Sequence, residues 1–174
     1  MAKPCALWFA GIAAMALCAS EARAQAPAPV PEAMPYDIPY GAPIDLDTAQ
    51  KAIQAAQAEA KKHNWKMAIS VVDTHGELVA HATMDNTLYV SIGFAQAKAR
   101  AAARLKRPSK VLADGINAGS PAGLSVAIIG NVAASEGAFP ILVDGKVIGA
   151  IGASGGMGVQ DAVVAKAGLD AVTH

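Results

Sequence analysis

Residues 140–172 read PILVDGKVIGAIGASGGMGVQDAVVAKAGLDAV, and this stretch decides the fold. Its order predicts a strand, a tight turn at Asp144 and Gly145, a second strand, a glycine-rich loop and a terminal helix. Short apolar runs around an Asp-Gly pair are typical of a β-hairpin, because a two-residue turn that matches strand twist needs positive φ at its centre. The nearly unbroken apolar run at 147–153 predicts that the second strand is covered on both faces.

The preceding part of the domain, from residue 44, predicts the remaining elements. Asp45 is placed to cap a first helix that ends near Asn64. Segments 66–72 and 77–84 form a second hairpin, followed by a helix over 91–106 and a shorter one from Ser109. Residues 120–139 are expected to form a loop and a short strand. Hairpins alternating with helices predict an α+β domain, with an antiparallel sheet and helices on its faces.

The first 24 residues predict a secretory signal peptide. Lys3 precedes an apolar run at 5–17, and Ala22-Arg23-Ala24 forms an A-x-A cleavage site, so the mature chain is expected to begin at Gln25. The apolar run is shorter than the roughly 20 residues that cross a bilayer, which disfavours stable membrane insertion. A lipoprotein anchored through Cys18 is disfavoured by the large Leu17 before it. The sequence therefore predicts a periplasmic or secreted protein.

Residues 25–43 predict a proline-rich extended arm, because this segment holds six of the ten prolines and shows no helical or strand period. Two interpretations of the arm remain open. It is either a flexible tether, or its apolar second half packs on a neighbour.

Cysteine usage and charge exclude several functions. Both cysteines, Cys5 and Cys18, lie in the signal, so the mature chain has no thiol for catalysis, zinc binding or disulfides. Without Lys3, Arg23 and Glu21, 12 basic and 13 acidic residues remain. This near neutrality argues against nucleic acid as the main partner.

Three segments together resemble the GlcG/HbpS haem-binding family, also described as haem-degrading or DUF336-like. They are SVVDTHGELVAHATMD at 70–85, AQAKARAAARLKRPSK at 95–110, and PILVDGKVIGAIGASGG at 140–156 followed by QDAVVAKAGLDAV. The resemblance covers nearly all of residues 44–174. It implies a profilin-like sandwich with about five antiparallel strands and helices on both faces. It also implies a homo-oligomer, from tetramer to octamer, and haem as the ligand.

Histidine is the first residue type to consider for haem iron, since neutral imidazole is its commonest protein ligand. His81 is the favoured candidate, because strand parity places it on one face with Val79 and Thr83, where a strand holds it rigidly. His75, in the turn between segments 66–72 and 77–84, is the second candidate. A structural or interface role for His81 stays open. Less favoured iron ligands are His63, His174, Met84 and Met157.

The glycine-rich loop is the candidate site for the haem propionates or for a small carboxylate ligand. Backbone N–H groups at Ser154, Gly155 and Gly156 precede the last helix, where an anion would be favoured. Positive charge is expected from Lys98, Arg100 and Arg104. In the alternative interpretation, the glycines serve a tight turn or close subunit contact, and the basic residues form a solvated helix face.

The sequence thus predicts an exported, oligomeric protein that binds haem or another small molecule, and it assigns no catalytic residue. G-x-S-x-G, H-E-x-x-H and Walker A motifs are absent. Two alternatives stay open. One is an enzyme that acts on a small hydroxy- or oxo-acid, with Lys98, Ser154 or His81 as acid or base. The other is an accessory subunit of a periplasmic oxidoreductase that contacts its partner through the arm.

Overall fold

The computed structural model describes residues 29–173. The predicted signal peptide, the start of the arm at 25–28 and His174 lie outside the described residues. The elements, in chain order, are α1 (Leu46–Lys62), β1 (Ala68–Val72), β2 (Leu78–Thr83), α2 (Tyr89–Leu105), α3 (Ser109–Asn117), α4 (Pro121–Ile129), β3 (Ala138–Val143), β4 (Lys146–Ser154) and α5 (Gly158–Asp170).

The four strands form one antiparallel sheet in the order β2-β1-β4-β3. Helices α1 and α5 cover one face, where Ile69, Val71 and Ile151 are buried in the larger core cluster. Helix α2 covers the other face with its alanines, packed against Val72 and Ala150. The predicted α+β class, with helices on both faces of an antiparallel sheet, is confirmed.

The C-terminal hairpin follows the sequence prediction. Asp144 and Gly145 have φ values of 49° and 71°, as a tight hairpin turn requires. The adjacent residues Ala150 and Ile151 of β4 point to opposite faces and are both fully buried, so the strand is covered on both faces as predicted. At Gly152 a Cβ atom would lie 2.6 Å from the Ala95 carbonyl oxygen, so the missing side chain lets α2 pack directly on β4.

The described residues form four strands instead of the five that the resemblance implies. Next to β4, beyond the end of β1, lies the second half of the arm at residues 39–44. Val147 N–H donates to the Pro39 carbonyl, and the N–H groups of Gly41 and Ile44 donate to β4 carbonyls. A regular strand does not form here, because Pro39 and Pro43 have no N–H group to donate. This part of the arm therefore packs on its own domain.

Helix α4 corrects the sequence prediction of a loop and a short strand over 120–139. Ser120 caps the helix by accepting a hydrogen bond from the Gly123 N–H, and Pro121 occupies the first turn. The prediction failed because α4 has no polar face, so its sequence lacks the period of an amphipathic helix. None of its residues is buried within the chain.

Among the helices of the described residues, none has the length and apolar character needed to cross a bilayer.

Candidate functional site

His81 lies on edge strand β2, directly opposite Ser70 of β1. Its ring is held between two hydroxyls, with Nδ1 2.8 Å from Ser70 Oγ and Nε2 2.7 Å from Thr83 Oγ1. Burial lowers the pKa of His81, which favours the neutral imidazole. A neutral imidazole is the form that binds iron, but both of its nitrogens already have partners here.

His75 lies in the turn between β1 and β2, which Asp73 organises. One carboxylate oxygen of Asp73, Oδ1, accepts hydrogen bonds from the N–H groups of His75 and Glu77. The His75 side chain is 80% exposed, with Nδ1 3.3 Å from Thr74 Oγ1 and 3.9 Å from Asp73 Oδ2. Within residues 29–173, no group forms a hydrogen bond with His75 Nε2, which leaves this nitrogen available to a ligand.

A cleft of about 470 Å³ lies between this turn and the second half of the arm. Its lining residues are Tyr40, Gly41, Pro43, Thr74, His75 and Arg104. We call it the arm cleft. The Tyr40 hydroxyl donates to the carbonyls of Ala103 and Arg104 at the end of α2, and burial raises the pKa of Tyr40. These contacts fix the tyrosine ring as one wall of the cleft.

Two of the predicted basic residues connect α2 to the same turn. Arg104 donates from Nε to the His75 carbonyl and from Nη2 to Glu77 Oε1, at 2.6 and 3.1 Å. Arg100 donates from Nε to the Gly76 carbonyl. The Arg104 side chain stays 38% exposed, and a guanidinium has five N–H donors. Nη1 also donates to the Gly130 carbonyl at 3.1 Å, so two of the five N–H groups have no hydrogen-bond partner among residues 29–173, and Arg104 lines the arm cleft.

Lys98, the third predicted basic residue, is buried. Its Nζ atom lies 2.6 Å from Asp161 Oδ2, and the two side chains are 3% and 2% exposed. The ammonium also donates to the Ala153 carbonyl. Burial raises the pKa of the Asp161 carboxyl, and the hydrogen bond from Lys98 opposes this change. The pair joins α2 to α5 across the end of β4.

The glycine-rich loop is hydrogen-bonded to the Asp161 carboxylate that pairs with Lys98. The Gly156 N–H donates to Asp161 Oδ1 at 3.0 Å, and the Met157 N–H donates to the Gln160 side chain. Ser154, at the end of β4, is buried. These backbone donors are thus occupied by side chains of the protein itself. The contacts favour the structural interpretation of the loop over an external anion.

The structure separates the residues that the sequence predicted as one site. His75 and Arg104 share the arm cleft, while His81 lines a second cleft with glutamines of α1. Gly155 and Gly156 line a third cleft, beside Trp65. The remaining candidates in the described chain have other surroundings: His63 stacks on Trp65 and contacts Glu59, Met84 packs against the core, and Met157 is exposed at the start of α5.

Sequence reasoning missed three residues that shape these sites: Tyr40, Ser70 and Asp161. Ser70 gave a signal, because it is a polar residue within an otherwise apolar strand. Asp161 gave another, because an acidic residue in the first turn of a helix can accept bonds from the preceding loop. No local sequence signal pointed to Tyr40, since its place in the arm cleft depends on long-range packing.

A separate groove of about 500 Å³ lies between α2 and α4. Phe94, Val90 and Ile128 are among its apolar lining residues. The exposed apolar surface continues along α4, where Ile128 and Ile129 are 78% and 86% exposed. An apolar patch of this kind on a folded domain typically marks a contact surface. We call it the α2/α4 face.

Residues 44–170 match the family described as Haem degrading protein HbpS-like. This chain belongs to that family. Protein GlcG of Escherichia coli K12 is 40% identical over 111 residues, which cover 64% of this chain and 81% of GlcG. The corrinoid adenosyltransferase PduO of Salmonella typhimurium is 31% identical over 120 residues, which cover 68% of this chain and 36% of PduO.

Solved structures of relatives share the fold. A double mutant of HbpS from Streptomyces reticuli superposes with a TM-score of 0.71 at 26% identity, covering 86% of this chain and all of that one. A PduOC:Heme complex superposes with a TM-score of 0.68 at 28% identity, covering 74% and 94% of the two chains. The second structure shows that a domain of this fold can hold haem.

Proposed function

We propose that this protein is an exported, homo-oligomeric haem-binding protein. The observation that carries the proposal is the haem complex of a relative with the same fold, which aligns over 94% of its own length. Side chains of this chain also fit a haem. Imidazoles line two clefts, and one of these has a guanidinium and an aromatic ring beside the histidine. Haem needs an axial ligand, apolar contact and countercharge for its propionates.

A haem titration tests the binding. The mature chain, residues 25–174, is titrated with haemin while the Soret band is followed. We expect a shifted band that saturates at a fixed ratio of haem to protein chain. An absorbance equal to that of haemin in buffer at every ratio would refute the proposal.

Oligomerisation is supported by the α2/α4 face. An apolar helix without a buried residue exposes surface that water solvates poorly, and a second copy of the chain would cover it. Obligate oligomer interfaces are apolar in this way. The resemblance to GlcG and HbpS proteins suggests an assembly between tetramer and octamer.

The oligomer is tested by light scattering after size-exclusion chromatography. We expect wild type to run as a multimer and Ile128→Glu to dissociate, because the new charge would be desolvated in the interface. Leu46→Glu is the matched control, since Leu46 is an exposed apolar residue in the first turn of α1, away from this face. A monomeric wild type, or no effect of Ile128→Glu, would contradict this part of the proposal.

Export is proposed from residues 1–24. Expression of the full-length chain in a Gram-negative host, followed by fractionation and intact-mass measurement, tests it. We expect a periplasmic or secreted protein that begins at Gln25. An uncleaved protein in the cytoplasmic fraction would contradict it.

A further inference from the structure

We infer that haem binds in the arm cleft and that His75 Nε2 is its iron ligand. This inference rests on the proposed haem-binding function and assigns a site for it. The sequence favoured His81 instead, on the ground that a strand holds a side chain more rigidly than a turn does.

The availability of the ring nitrogens distinguishes the two histidines. Both nitrogens of His81 are engaged, at 2.8 Å with Ser70 and at 2.7 Å with Thr83. Iron binding at His81 would require at least one of these bonds to break. At His75 the Nε2 atom has no hydrogen-bond partner in residues 29–173, so iron would displace no protein group there.

The surroundings of His75 also favour the correct tautomer. Nδ1 lies 3.3 Å from Thr74 Oγ1 and 3.9 Å from the Asp73 carboxylate. A proton on Nδ1 is stabilised by these oxygens, which leaves the lone pair on Nε2. Asp73 is itself fixed by two backbone N–H groups, so the second shell of the proposed ligand is ordered.

The walls of the arm cleft suit a flat, apolar molecule with carboxylates at its edge. Pro43 offers a ring surface, as does the face of Tyr40 opposite the Lys106 ammonium, which lies 4.4 Å from the ring centroid. Arg104 offers a guanidinium with two N–H groups that have no partner among residues 29–173 and can bind a propionate. The volume of about 470 Å³ lies within the usual range for small-molecule sites, roughly 300–1,000 Å³.

The cleft at His81, the cleft beside Trp65 and the α2/α4 groove fit less well, and the cleft beside Trp65 has no histidine in its lining. The cleft at His81 is lined by three glutamines of α1, Gln50, Gln54 and Gln57, and by four apolar residues, and none of these side chains offers a charge to a propionate. The α2/α4 groove is apolar, with Asn131 as the polar side chain in its lining, and it offers haem no imidazole. The arm cleft combines ligand, countercharge and apolar walls.

A panel of variants in the mature chain tests the site. His75→Ala removes the proposed ligand from an exposed turn, so the fold is expected to survive, which circular dichroism checks. His81→Gln and His63→Ala are the matched controls. We expect His75→Ala to raise the haem Kd at least about tenfold, since losing even an outer-shell partner of a metal ligand costs about 10- to 100-fold. Both controls should bind as wild type does.

Added imidazole provides a second readout. It is expected to restore the wild-type Soret band of the haem-loaded His75→Ala protein by occupying the vacated position. Failure of this rescue, an unchanged Kd in His75→Ala, or a loss confined to His81→Gln would each overturn the assignment while haem binding itself stands. If wild type gives no Soret shift, the proposed function fails, and this inference fails with it.

Discussion

Replacing Lys98 with methionine should destabilise the protein strongly, although one interpretation of the sequence placed Lys98 on a solvated helix face. Methionine has a similar length and apolar stem, so little packing volume is lost. The change leaves the Asp161 carboxylate, 2% exposed, without the ammonium 2.6 Å away. Removing one partner of a buried ion pair typically costs about 3–5 kcal/mol. We expect a decrease of that size in the free energy of unfolding.

The measurement is urea denaturation followed by circular dichroism, with a double-mutant cycle. Asp161→Leu alone should also destabilise, because it leaves the Lys98 ammonium with the Ala153 carbonyl, 3.3 Å away, as its remaining partner. The double variant should lose clearly less stability than the sum of the two single losses, since no unpaired buried charge remains.

The pair between Lys166 and Asp170 on α5 provides the control. Both side chains are more than half exposed, so Lys166→Met should leave stability nearly unchanged. A cost below about 1 kcal/mol for Lys98→Met, or strict additivity in the cycle, would refute the reasoning that this pair holds α5 and the glycine loop in place.

Two further predictions concern His81 and the glycines. Burial lowers the pKa of His81 in the folded protein below its value of about 6.5 in the unfolded chain. The neutral His81 ring therefore stabilises the fold above about pH 6.5, and this stabilisation is lost as the pH falls through the folded-state pKa. Wild type should lose more stability than His81→Gln between about pH 7.5 and about pH 5 in urea titrations; equal losses would contradict this. Gly152→Ala should destabilise by about 1–3 kcal/mol, since its Cβ would clash with α2. Gly115→Ala, in open space on α3, should stabilise slightly, and the opposite order of the two would contradict the packing argument.

The fold was largely predictable because its signals are local. The positive φ at Asp144 and the cap at Asp45 depend on a few neighbouring residues, and both are present in the structure. Helix α4 was missed because the spacing of apolar residues predicts a helix only where one face is buried against the rest of the chain. No residue of α4 is buried in this way. Its start still had a local signal in Ser120 and Pro121.

The candidate site was less predictable, because it depends on contacts between distant residues. Lys98 is three residues after Ala95 and four before Ala102, so it lies on the apolar stripe of α2, and this spacing could have predicted burial. Nothing local relates His75 to Tyr40, which lies 35 residues earlier in the chain. Strand parity placed His81 on one face with its partner Thr83 but did not reveal its partner Ser70, since the pairing of Ser70 with His81 depends on cross-strand register.

Crystals of the mature protein grown with haemin offer the most direct test of haem binding. An anomalous difference map recorded at the iron absorption edge locates the metal without reference to any assumed pose. We expect one strong peak per chain in the arm cleft, at bonding distance from His75 Nε2. A peak beside His81 or at the α2/α4 face would contradict the assigned site, and crystals without iron would contradict haem binding itself.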